Sequence, residues 1–121
     1  MTKEELLKRT KKFALDIIIF VNNLNQNSVN KIICNQLLRS ATSVGANYRA
    51  AIRAKSRADF LYKIKVIEEE SDESLYWLEL LIESNIHVSN QIEPLLNEAK
   101  QLTLSLQVLQ KQQSQETLNK S

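Results

Sequence analysis

The chain has 121 residues, of which 43% are hydrophobic and 25% are charged, a composition typical of one soluble globular domain. It contains one glycine and one proline, too few for the turns of a sheet protein or a loop-rich enzyme. The single cysteine, Cys34, excludes an internal disulfide, and a net charge of +2 gives no general affinity for nucleic acid.

Apolar spacing and capping signals predict an all-α protein with four helices. In the first helix, Glu5 follows Thr2 at capping-box spacing, and Leu6, Phe13 and Ile17 begin a stripe that faces the core. The predicted helices cover residues 2–25, 28–54, 56–85 and 90–112. Their predicted N-caps are Thr2, Ser28, Ser56 and Asn90, and Pro94 is expected in the first turn of the fourth helix.

The connections between these helices are short, which favours an antiparallel, up-down-up-down four-helix bundle. The junction between the second and third helices has no glycine or proline, so a turn and a continuous helix both remain open. The apolar pattern fails after Gln110. The sequence therefore predicts a bundle domain over residues 1–111 and a polar, disordered tail over residues 112–121.

Charge is distributed unevenly along the chain. Residues 31–65 contain eight basic side chains and one acid, whereas residues 66–99 contain nine acids and no lysine or arginine. At about 100° per residue, Arg39, Arg49 and Arg53 fall within an arc of about 80° on the second helix, opposite its apolar side. This outward stripe is a candidate site for nucleic-acid phosphates. Its predicted residues are Arg39, Arg49, Arg53, Lys55 and Arg57.

The alternative is that the acids of the third helix, Glu69, Glu70 and Glu73, neutralise these arginines within the protomer or across an interface. The third helix also has a second apolar strip outside its core stripe, which indicates a subunit interface because tryptophan and tyrosine are enriched at interfaces. The candidate interface residues are Tyr62, Val66, Glu69, Glu73, Trp77 and Leu80.

No residue pattern indicates catalysis, a bound metal or a cofactor. The one histidine, His87, could pair with Glu83, but a two-metal bundle needs such a motif on two helices. A cysteine nucleophile would need a histidine and an orienting group, so Cys34 is expected to be a small hydrophobe. No signal peptide, membrane span or small-molecule substrate is expected, and the predicted location is the cytoplasm.

The second and third helices carry a recognisable signature. Its parts are Arg39-Ser40-Ala41-Thr42-Ser43-Val44-Gly45-Ala46-Asn47 and, later, Glu68-Glu69-Glu70-Ser71-Asp72-Glu73-Ser74-Leu75-Tyr76-Trp77-Leu78. The chain resembles, over roughly residues 11–98, the bacterial family of 23S rRNA intervening-sequence proteins. The resemblance implies a four-helix protomer that assembles as a homopentamer. It also implies kinship with the basic accessory protein of diversity-generating retroelements, which works with a reverse transcriptase and nucleic acid.

Two functions follow. The first is a non-enzymatic oligomeric scaffold that binds RNA, DNA or a nucleic-acid-processing protein through the arginine stripe. The second is a protein–protein interaction module without a nucleic-acid role, whose arginines pair with the acids of the third helix. The effect of salt distinguishes the two functions, because the affinity of a protein for nucleic-acid phosphates falls steeply as the salt concentration rises.

Overall fold

The computed structural model describes the backbone of residues 1–119 and the side chains of residues 1–115. Within this part of the chain the regular secondary structure is all helical, without strands, which confirms the all-α prediction. Four α-helices are joined by short connections, with one short 3-10 helix before the last of them. They are α1 (Lys3–Asn23), α2 (Ser28–Ala51), α3 (Arg57–Ser84), the 3-10 helix (Ile86–Val88) and α4 (Ser89–Asn119).

The helix starts are fixed by side-chain caps. Thr2 Oγ1 accepts a hydrogen bond from the N–H of Glu5 at 3.1 Å, as the capping-box spacing predicted. Ser56 caps α3 in the same way, by accepting from the N–H of Asp59 at 3.0 Å. The predicted cap of α2 was wrong by one residue, because the side chain of Asn27 rather than Ser28 accepts the helix N–H.

The fourth helix differs most from its prediction. It begins at Ser89, directly after the 3-10 helix, so Pro94 is its sixth residue and lies in the second turn rather than the first. It continues to Asn119 instead of ending near residue 112, so the segment 112–119 predicted to be a disordered tail is helical. Glutamine and lysine are good helix formers, and no glycine or proline stops the helix where its apolar pattern ends. Residues 120 and 121 lie outside the described residues.

The helices enclose one core. Helix α2 packs on α1 and α3, and α4 packs on α3 and α1, while α1 and α3 lie diagonally, with no Cα atom of one within 8 Å of a Cα atom of the other. The predicted stripe of α1, from Leu6 to Leu24, is buried, and Leu37, Ile64 and Leu102 are fully buried on the other helices. The junction of α2 and α3 is a turn, which ends α2 at Ala51.

Small polar side chains interrupt the core and pair with one another. Ser74 Oγ donates to Ser40 Oγ at 2.8 Å, which joins the middle of α3 to the middle of α2. Ser71 and Thr103 share a hydrogen bond of 2.6 Å between α3 and α4. Each polar group is therefore paired, so that it is not left unsatisfied in the apolar interior.

Candidate nucleic-acid interface

In the structure, the residues of the predicted arginine stripe do not share one surface. Arg39 leans toward α3 and forms ion pairs with both Glu70 and Glu73. The hydrogen bond that Arg39 donates to the Glu73 carboxylate raises the pKa of the Arg39 guanidinium. Arg39 therefore fits the alternative interpretation, in which arginines of α2 are neutralised by acids of α3 inside one protomer.

Arg49 and Arg53 lean the other way, toward α1. They line a surface groove of 630 Å³ between α1 and α2, together with Lys8 and Lys11 of α1. We call this the basic groove. Its remaining lining is apolar or small and includes no acidic residue: Leu7, Ala14, Thr42, Gly45, Ala46 and Ile52.

None of the four cations of the basic groove forms an ion pair within the residues that the structure describes, whereas Arg9, Lys12, Arg39 and Lys63 do. Lys8, Lys11, Arg49 and Arg53 are all exposed. These positive charges can therefore attract an anion from outside the protein. A cation already paired with an acid would attract it less.

The floor of the groove follows from close packing of α1 against α2. A Cβ atom added to Gly45 would lie 3.3 Å from the carbonyl oxygen of Thr10, so only glycine permits this approach without a shift of the neighbour. Thr42 beside it donates its hydroxyl to Leu38 O of its own helix at 2.6 Å. Gly45 therefore has a packing role, and the same contact brings the cations of the two helices to one groove.

The last two residues of the predicted stripe do not join the groove. Lys55 lies in the turn after α2, where its backbone N–H donates to Asp59. Arg57 begins α3 and donates to Gln113 Oε1 of α4. Sequence reasoning missed Lys8 and Lys11, because nothing local to α1 shows which side of α2 it packs against; Gly45 was the available signal for a close approach.

The predicted interface residues form a strip on α3. Tyr62 is 68% exposed and Glu69 is also exposed, while Val66 and Leu80 are half-buried. The carboxylate of Glu73 forms an ion pair with Arg39. Trp77 packs partly against the core, and its indole N–H is buried without an acceptor among the described residues. Tyr76, which the prediction omitted, is 53% exposed and meets the Trp77 ring edge-on at 5.0 Å.

Two other side chains carry chemically reactive groups, Cys34 and His87. Cys34 is buried, and burial raises the pKa of its thiol, as for an inert core cysteine. His87 is exposed in the 3-10 helix. Among the residues described, no three histidine, cysteine, aspartate or glutamate side chains lie close enough together to hold a metal ion.

None of the helices in the described part of the chain has a long enough apolar stretch to cross a membrane.

The fold places the chain among small all-α helical bundle proteins. Residues 2–117 match the sequence model of the 23S rRNA-intervening sequence proteins, and the chain belongs to that family. A crystal structure from Bacteroides thetaiotaomicron, of a protein of unknown function from the S23 ribosomal protein family, is similar to it. That protein is 33% identical, with a TM-score of 0.83, over 92% of this chain and 99% of the other. No curated protein matches.

Proposed function

We propose that this protein is a non-enzymatic, oligomeric scaffold of the cytoplasm that binds nucleic acid through the basic groove. The observation that carries the proposal is the group of four exposed cations, Lys8, Lys11, Arg49 and Arg53, in a groove whose lining includes no acidic residue. Arginine forks onto phosphate oxygens, and lysine adds a mobile point charge. The proposal replaces the predicted stripe by this groove, since Arg39 is already neutralised.

The groove suits the phosphate backbone better than the bases. Its lining contains no aromatic ring on which an unpaired base could stack. Cations on two neighbouring helices instead offer a double row of contacts to phosphates, which carry no sequence information directly. We therefore expect binding of duplex nucleic acid with little dependence on base sequence.

Assembly belongs to the same proposal. We infer an antiparallel, up-down-up-down order from the contacts between helices. Asn30 near the start of α2 bonds Asn85 after the end of α3, and Leu6 near the start of α1 lines a pocket with Val108 in the second half of α4. The exposed Tyr62 and Tyr76 support a subunit interface on α3. A ring, for which we favour the pentamer implied by the family resemblance, would repeat the basic groove and multiply weak contacts.

The test is fluorescence anisotropy with short labelled RNA and DNA duplexes at low salt. We expect Arg49→Glu/Arg53→Glu to weaken binding by about tenfold or more, which corresponds to about 1.4 kcal/mol. The matched control is Lys100→Glu/Lys111→Glu, which changes the net charge equally at two exposed positions of α4. The control should bind nearly as well as wild type, because its lysines lie outside the groove.

Two results would contradict the proposal. If both double variants lose affinity equally, net charge rather than the groove controls binding. If wild type binds neither duplex at low salt, the nucleic-acid role fails and the protein-interaction module becomes the better account.

A further inference from the structure

Helix α1 exposes aliphatic side chains that no other part of the described chain covers. Leu15, Ile18 and Ile19 occupy one outward side and are 50%, 36% and 59% exposed. Single exposed aliphatics are ordinary, but three within five residues on one outward side of a helix mark an interaction surface. We call these three residues the aliphatic face.

Positive charge lies beside the aliphatic face. Lys11 lies one turn before Leu15, and Lys31 lies near the start of the neighbouring helix α2; both are exposed and have no ion pair in the described residues. The one acid beside it, Asp16, is held by Lys12 at 2.6 Å. A partner should therefore combine apolar contact area with negative charge.

The outer side of α3 has that combination. Tyr62 and Tyr76 are exposed there, and Glu69, Glu79 and Glu83 lie among them. These three acids are exposed and form no ion pair within the described residues, unlike Glu70 and Glu73. We call the two tyrosines and three glutamates the acidic face.

The two faces cannot meet within one protomer, since they are the outward sides of α1 and α3, which lie diagonally across the bundle. They can meet only between two copies. Because the faces differ, a copy that docks one face still offers the other. Such a contact is heterologous, and it either closes into a ring or continues as a filament.

We propose that the aliphatic face of one copy docks on the acidic face of the next copy. This inference rests on the proposed oligomer. It identifies the surface that would contact α3 of the neighbouring copy, which the sequence did not indicate. The contact would bury Leu15 and Ile19 against Tyr76 and place Lys11 and Lys31 near glutamates of the neighbour. It leaves Lys8, Arg49 and Arg53 of the basic groove outside the contact.

A mixing experiment tests the pairing. Leu15→Asp/Ile19→Asp blocks the aliphatic face, and Tyr62→Asp/Tyr76→Asp blocks the acidic face. All four positions are exposed, so the protomer should still fold, which circular dichroism checks. Aspartate is used on both faces so that the two blocked faces do not attract each other. Each variant alone should be monomeric by light scattering and native mass spectrometry.

The mixture should form a one-to-one dimer of the two variants and nothing larger, because each supplies the intact face that the other lacks. A mixture that stays monomeric contradicts the pairing, as does a variant that still assembles alone like wild type. Wild type that is monomeric at tens of micromolar instead rejects the underlying oligomer. Neither result depends on nucleic acid, so failure here is distinct from failure of the groove.

Discussion

At the scale of single residues, Gly45 has the strongest structural constraint. A glycine inside a helix costs about 1 kcal/mol relative to alanine, so its presence needs a compensating contact. That contact is the backbone of Thr10, which would lie 3.3 Å from any Cβ at position 45. A carbonyl oxygen fixed in the hydrogen bonds of its own helix cannot turn aside as a flexible side chain would.

A larger side chain at this position should therefore force α1 and α2 apart. We expect Gly45→Leu to lower the free energy of unfolding by about 1–3 kcal/mol, as for other overpacked interiors. The control is Ala46→Leu, since Ala46 is the exposed neighbour in the same helix and adds almost the same bulk. Urea denaturation of the two variants measures the difference. Equal stability would show that the close approach imposes no constraint.

At the scale of elements, an amide pair ties two connections together at one end of the bundle. The side chains of Asn30 and Asn85 exchange two hydrogen bonds of 3.0 Å, and both residues are buried. Asn30 also donates to Asn25 O in the connection between α1 and α2, and Asn85 donates to Leu81 O of α3. The pair thus fixes the start of α2 against the end of α3.

Removal of one partner should cost more than its own hydrogen bonds, because the other amide is left buried and partly unsatisfied. We expect Asn30→Ala to lower the free energy of unfolding by about 1–3 kcal/mol. The double variant Asn30→Ala/Asn85→Ala should lose clearly less than the sum of the single losses. Asn97→Ala, at an exposed position of α4, serves as control. Strict additivity in chemical denaturation would refute the coupling.

The elements also show what a sequence can specify. The caps at Thr2 and Ser56 were predictable because a cap depends on residues within one turn. The end of α4 was not, since a solvated helix of good formers needs no apolar stripe to continue. The candidate site was half predictable: the helical period placed Arg49 and Arg53 on one side, but Lys8 and Lys11 join them through the packing of α1 on α2.

At the scale of the whole molecule, charge is separated across the bundle. The basic groove lies between α1 and α2, while the unpaired acids of α3 lie on the far side of the fold. A net charge of +2 therefore conceals two surfaces of opposite sign. Local potential, rather than net charge, decides what each surface attracts, since exposed charges are screened beyond about 8 Å at physiological salt.

The most direct test of the basic groove is the salt dependence of wild-type affinity for a short DNA duplex, followed by anisotropy between about 50 and 200 mM monovalent salt. Each phosphate neutralised contributes a slope of about −0.9 to the logarithm of affinity against the logarithm of salt. Because Lys11 takes part in the proposed contact between copies, the three remaining groove cations predict a slope of about −3 for each protomer engaged, shallower by about two in Arg49→Ala/Arg53→Ala. A flat dependence, or an unchanged slope in that variant, would contradict a phosphate-binding groove.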